Sequence, residues 1–439
     1  MAKRALSRSG HRGTFGLGAL RAGAGQGGAA RRAGWAVLIA TVGALVCTGL
    51  VSQAGGLVAQ AGALASPPQT ARPGQPVPWG DVGPGWLISK WVPQAPTIPG
   101  EPSPSPTVTT GQWPGGASAT LYLISPTGRR YVVGHGRSLP QGDLVSWSSD
   151  GAHVLFEAAS QAGTVELTVF DLRTGAAKSL YVAGFARPAA FLDGGPEGPS
   201  LVVDAQATTE GTIPMQRFSL LGRHEVSFAT RFSGSGTTQG GGFLLTPNTG
   251  DMLVATSTGF ELVNLAGRGL LPLPMTATAG NCQPERWWQP DVALASCVDG
   301  SGVPSLWLVP LDGAAPSRLT APPPPRSPDA GDVDAWKLPS GTYVQDLGGC
   351  GYEYLARLGA GGTTAPVAVP GTVRGRSVSI LGAYGSRLSF IATSPCTGGG
   401  FLAWFNPVTK EVTQVLGGTV NGGAVEEALL YGEQPTWAV

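Results

Sequence analysis

Side chains that do chemistry are scarce in this chain. Its 439 residues include four histidines, five cysteines and only 13% charged residues, against about 25% in an ordinary globular domain. There is no H-E-x-x-H, no Walker A lysine and no G-x-S-x-G nucleophile elbow, which excludes zincin-type, P-loop and prolyl-oligopeptidase-type chemistry. No C-x-x-C pair exists and no histidine lies near the later cysteines, so a zinc site is disfavoured. A G-x-G-x-x-G at Gly23, Gly25 and Gly28 has no strand before it and is compositional. The sequence points to no catalytic residue, no cofactor and no metal.

Acidic residues are absent before Asp81, and no charge of either sign occurs from Ala33 to Ala71. The first 32 residues carry seven of the 28 basic side chains. Within the uncharged stretch, Gly34 to Val51 is long and apolar enough to cross a bilayer as a helix. The basic side stays in the cytoplasm. The expected organisation is therefore a cytoplasmic tail over 1–32, a transmembrane helix or signal anchor over 33–57, and an extracytoplasmic remainder on a single-pass membrane protein. Ala63-Leu64-Ala65 before Ser66 leaves the alternative of cleavage and secretion. Positions 73 to 439 carry a net charge of −7, which does not suit nucleic acid.

Proline crowds the next stretch, thirteen between Ser66 and Ala117, and such density forbids helix and sheet ladders. Residues 58–117 thus read as a linker or stalk. It is interrupted by Val77 to Trp91, whose Trp79, Trp86 and Trp91 suggest a patch docked on the following domain.

From 118 to 439 the signals are all β. Asp143 to Leu180 shows a tryptophan strand, a Ser-Asp-Gly turn, an apolar strand, then a strand ending at Asp171 and a Thr174-Gly175 turn. Weaker copies span Ala186 to Phe228, a unit from Phe243, another from Glu285, Val333 to Pro370 and Ser377 to Leu416. Repeats of ~40–45 residues predict a β-propeller of four-stranded blades, about seven, with six as the alternative count. The first unit, from Ser118, supplies only half a blade. The apolar strand Ala424 to Tyr431 is unattached at the other end, and together they close the ring.

Trp147-Ser148-Ser149-Asp150-Gly151, the apolar strand to Phe156, Val169-Phe170-Asp171 through Gly175, and Ser305 to Thr320 resemble the repeat of TolB-like, WD-type propellers. Ser149 stands where that repeat usually has proline. Stretches at Pro78, Cys282, Ala335 and Ala403 are similar to membrane-anchored TolB-like proteins of actinobacteria, and 23 arginines against five lysines suit a GC-rich genome. The resemblance implies a propeller with an envelope role and no particular reaction. The α/β domain that TolB carries is not evident here.

Four cysteines, Cys282, Cys297, Cys350 and Cys396, fall in the exterior part, where an even number suggests disulfides. Cys47 lies in the apolar stretch. Blade positions bring Cys282 to Cys297 and Cys350 to Cys396 on one face, one of three possible pairings. His135, His153 and His224 lie apart, with no ligand spacing. Asp329, Asp332 and Asp334 read as a solvated inter-blade loop rather than a calcium site. Trp147, Trp287 and Trp336 read as core. The expected function is a non-catalytic binding or scaffold module for envelope proteins or an extracytoplasmic ligand. The alternative is a lactonase- or lyase-type enzyme with its site in the central channel.

Overall fold

The computed structural model describes residues 75–93 and 119–432, apart from 160–163, 184–188, 196–197, 205, 209–210, 230–241, 247–249, 277, 324–328, 349–351, 373–376 and 394–399. These belong to one compact unit, Gln60–Val439. Among them no helix is long and apolar enough to cross a membrane, and the expected span at Gly34–Val51 lies outside them.

Seven four-stranded antiparallel sheets follow one another, each a blade of a β-propeller. Blade two is the unit the sequence displays best. Its strands are Asp143–Trp147, His153–Ala159, Thr164–Asp171 and Ala177–Ala183, paired in that order. Turns between them are fixed by short polar side chains. Asp150 Oδ1 accepts from the Ala152 amide at 2.7 Å. Asp171 Oδ1 accepts from the Arg173 and Thr174 amides, and Gly175 supplies the positive φ of 73° that closes the turn. Between the strands, alternating apolar residues such as Leu155, Leu167 and Val169 pack on Phe191, Leu201 and Val203 of blade three. Every other blade seam is filled in the same way.

Blades three to seven begin with the strands Ala189–Gly195, Phe243–Leu245, Asn281–Gln289, Asp329–Leu338 and Ser377–Tyr384. First strands of several neighbouring blades touch one another, so they form the inner ring. Blade three also carries a separate hairpin, Gln206–Thr208 with Gly211–Ile213, between its second and third strands.

The closing blade differs from the expectation. Its inner strand is the C-terminal Ala424–Leu430, followed outward by Leu87–Val92, Thr120–Ile124 and Arg130–His135. Three strands come from the N-terminal side rather than two. The third is the C-terminal part of the tryptophan patch, which pairs as a sheet strand: Leu87 opposes Leu430 on one side and Ile124 on the other. A strand needs two neighbours to bury Leu87 and Ile88 completely, and this position provides both. Trp91 pairs with Thr120 across the sheet. The strands on either side of segment 94–118, Leu87–Val92 and Thr120–Ile124, are therefore neighbours in one blade, and the segment itself lies outside the described residues.

Connections divide unequally between the two faces. Those joining first to second and third to fourth strands are tight, such as 339–340, 172–176 and 407–410. The connections joining second to third strands and blade to blade leave from the opposite face and include longer ones, such as 136–142 and 418–423. We call these the turn face and the loop face.

Candidate functional site

Polar side chains near the inner ring bond from blade to blade. Glu427 of the closing blade accepts from the Leu144 amide of blade two at 2.6 Å. Ser146 accepts from Phe191 N at 3.3 Å, and Asp204 from Gly242 N at 2.7 Å. Trp287 Nε1 donates to the Leu245 carbonyl at 2.6 Å, and Gln345 Oε1 accepts from Ile380 N at 2.7 Å. Between blades five and six the link is ionic. Arg286 Nε donates to Asp334 Oδ1 at 2.7 Å while Nη2 meets Oδ2. The seventh seam is apolar, with Leu402, Trp404 and Leu416 against Leu87 and Val425.

Acidic side chains concentrate in the seam between blades five and six. Asp329, Asp332 and Asp334 lie on the inner strand of blade six, not on a solvated loop. Asp332 is only 2% exposed and Asp334 likewise. The blade starts at Asp329 because this acidic stretch finds strand partners: Asp332 opposes Asp346, and Asp329 opposes Gly348. Register shifts between Asp329 and Gly331 and between Asp332 and Asp334 break the regular alternation. Gly331 makes the first possible. Its φ is 113°, and a Cβ there would stand 2.5 Å from the Pro304 carbonyl of blade five.

Burial drives Asp332, Asp346 and Glu285 toward their neutral forms. Asp332 is pushed up to about 7, with the Thr320 hydroxyl partly opposing the shift and Asp329 adding to it. Asp346 is pushed up to about 9 by burial and by its hydrogen bond with Asp329, against the Tyr354 hydroxyl that donates to it. Burial and the carboxyl of Asp346 raise the Tyr354 phenol as well. Glu285 rises well above the carboxylate range through burial and the nearby Asp334, against the pull of Arg286. One oxygen of Asp332 and one of Asp346 are buried with no hydrogen-bond partner. Among the described residues, no group of three or more His, Cys, Asp or Glu side chains is set to hold a metal ion.

A second charged group sits at the ring closure. Lys90 contacts Glu426 at 3.1 Å and the Gly142 carbonyl at 2.9 Å, with Glu427 farther away at 4.0 Å. Burial is the largest cause pushing Glu427 up to about 8, opposed by Lys90 and reinforced by Asp143.

Cys282 and Cys297 oppose each other on the first two strands of blade five and are joined by a disulfide at the loop face. Cys350 and Cys396, the second expected pair, lie outside the described residues. The histidines are not brought together. His153 bonds Asp150 at 3.0 Å in a turn of blade two, and His224 bonds Ser227 at 2.9 Å on an outer strand of blade three. His135 ends the outer strand of the closing blade. Trp336 is buried, and Trp147 and Trp287 are half-buried against blade cores. Sequence spacing did not reveal Asp346, Tyr354 or Thr320 as companions of Asp332, because they come from separate strands. The only local signal was the acidic run itself.

On the turn face, residues 77–86 lie over inner-strand ends. Val82 packs beside Gly151 of blade two, and Gly85 lies against Tyr384 of blade seven. Trp79, Trp86 and Val82 pack with Trp147, Tyr131 and Tyr431. The Tyr431 hydroxyl donates to the Ser149 carbonyl.

No family model matches the chain. No curated protein matches it. Solved structures similar to it include TolB from Acinetobacter baumannii, at 10% identity and a TM-score of 0.41, covering 79% of this chain and 66% of that one. A Mycobacterium tuberculosis puromycin-hydrolysing peptidase is similar at 14% identity and a TM-score of 0.39, covering 71% and 55%. A putative 6-phosphogluconolactonase from Bacteroides uniformis is similar at 12% identity and a TM-score of 0.49, covering 78% and 99%. The chain spans about two thirds of the length of the first and about half of the second. None of these likenesses bears on what the chain binds or converts.

Proposed function

We propose that this chain is a membrane-anchored, extracytoplasmic propeller that binds or scaffolds partners in the cell envelope without turning over a substrate. One observation carries the reading. Among the described residues, charged side chains near its inner ring hold the ring together: Arg286 on Asp334, Glu427 on the Leu144 amide, Lys90 on Glu426. A propeller enzyme needs acids or histidines free at the axis, and Asp332 and Asp346 are too deeply buried to meet a substrate. The long connections gathered on one face supply a binding surface carried on a rigid frame.

Cross-linking on intact cells, followed by recovery of the chain from membranes, tests the binding role. Specific envelope proteins cross-linked through loop-face positions are expected. Protease added to protoplasts is expected to digest the propeller and leave the basic tail; protection of the whole chain defeats the topology. An enzymatic reading would be favoured instead by hydrolysis of a lactone panel that disappears in Asp332→Asn.

A further inference from the structure

Three carboxyls meet between blades five and six, with no cation among them in the described residues. Asp332 and Asp346 face each other on adjacent strands, 2% and 1% exposed, and each keeps a buried oxygen without a partner. Asp346 also shares a hydrogen bond with Asp329, which two ionised carboxylates cannot make. Among the described residues, the other charged groups on the packed elements are engaged elsewhere, Lys337 and Arg357 on the Trp288 and Ser340 carbonyls. Arg286 holds Asp334 and lies over the Trp336 ring, with Glu285 beside that pair. Arg318 of blade five binds Ser305 Oγ and faces Asp299. Glu353 is turned to Ser379 of blade seven. What remains around Asp332 and Asp346 is the Thr320 hydroxyl and the Tyr354 phenol, with Leu294, Leu306 and Ala356 packed behind.

We infer that the seam between blades five and six is a proton-held latch: Asp332 and Asp346 keep it shut as neutral acids, and loss of their protons lets the two blades part locally. The ionised pair would place two negative charges in an apolar seam without a counter-ion, and the seam relieves this by admitting water. Both acids are raised above their ordinary range, in keeping with that state. The sign follows. In the opened seam each acid ionises near its ordinary value of about 4. The closed seam therefore holds more protons than the open one above that pH. Opening becomes easier as pH rises, until Asp332 ionises in the closed form at about 7 and Asp346 at about 9. This inference rests on the fold and not on the binding role.

Hydrogen exchange on the full chain in detergent, corrected for the intrinsic rate at each pH, reads the opening directly from peptides covering Asp329–Leu338 and Gly341–Gly348. The opening constant of the wild type is expected to rise roughly tenfold per pH unit for each carboxyl still protonated only in the closed form. Asp332→Asn and Asp346→Asn should each remove one part of that rise, and the strand Thr164–Asp171 of blade two should show neither effect. A wild-type opening constant flat between pH 5 and 9, or single variants that rise as steeply as the wild type, overturns the latch. So does millimolar calcium chloride protecting the wild type at pH 8 but not the variants, because the acids would then be cation ligands.

Discussion

Arg286, on the inner strand of blade five, grips both carboxylate oxygens of Asp334, on the inner strand of blade six, and lies 4.4 Å over the ring of Trp336. Both partners of the ion pair are below a tenth exposed. The pair joins two side chains, where other seams of the inner ring use side-chain-to-backbone hydrogen bonds. Its geometry is the fork-to-carboxylate match that arginine makes and lysine does not.

Breaking one side of this pair should cost more than removing both. Asp334→Ala takes from the buried Arg286 guanidinium the carboxylate it grips at both oxygens and is expected to lower stability by about 3–5 kcal/mol. The double variant Arg286→Met, Asp334→Leu should recover much of that loss. Urea unfolding of Arg286→Met, Asp334→Leu and the double completes the cycle, and additive effects would mean that the two groups do not interact in the folded chain.

Ring closure should be indispensable. A chain ending after Gly423 lacks the inner strand of the closing blade and bares the edge of Leu87–Val92. It is expected to show no cooperative melting transition and to aggregate on size-exclusion chromatography. Gly423→Val tests the same place more gently. Its φ is 63°, and a Cβ there would run into the Trp91 ring and the Val92 carbonyl. A melting temperature unchanged by either alteration would contradict the closure.

Reductant should weaken the wild type measurably. The Cys282–Cys297 bridge closes a loop with a sequence separation of 15, for which loop entropy predicts about 3 kcal/mol. The Cys282→Ala, Cys297→Ala variant should melt lower than the oxidised wild type and be indifferent to reductant. Any remaining response of that variant would report the other cysteines.

Alkaline pH should loosen the closing blade through Glu427. Its folded-state value, about 8, lies above that of an ordinary glutamate. The stability tied to its proton is thus complete below about pH 4.3 and is lost as pH rises through about 8. Lys90 does not prevent this, because its tight contact is with Glu426 at 3.1 Å rather than with Glu427 at 4.0 Å. Glu427→Gln should be more stable than the wild type at pH 8.5 relative to pH 5, by on the order of 2–4 kcal/mol. Denaturant midpoints at the two pH values check this, and equal slopes for both proteins would remove Glu427 as the cause.

The blades were legible because their turns are local. Asp150, Asp171, Asn264 and Asn406 each accept backbone amides two to four residues ahead, so a side chain and its partner stand together in the sequence. Leu87–Val92 was not legible as a strand, because its inner partner lies at the other end of the chain: Ser89 donates to the Glu427 carbonyl across 338 positions. Tryptophan content alone announced that the segment is buried, without saying against what. The seam acids were hidden for a similar reason. Asp332 meets Thr320, Asp346 and, through it, Tyr354 only after three strands and a neighbouring blade are in register. An acidic run beside four prolines looks like loop until those partners are known.

Placing the innermost strand last has a cost during synthesis. Leu87–Val92 is made early, yet its inner neighbour Ala424–Leu430 appears some 330 positions later. At ~5–20 residues per second this strand waits tens of seconds with an open edge. Until Ala424–Leu430 emerges, Leu87 and Ile88 have a strand neighbour only on the Thr120–Ile124 side. A stalled or prematurely terminated message would yield not a smaller propeller but an adhesive intermediate, one that quality-control proteases must clear.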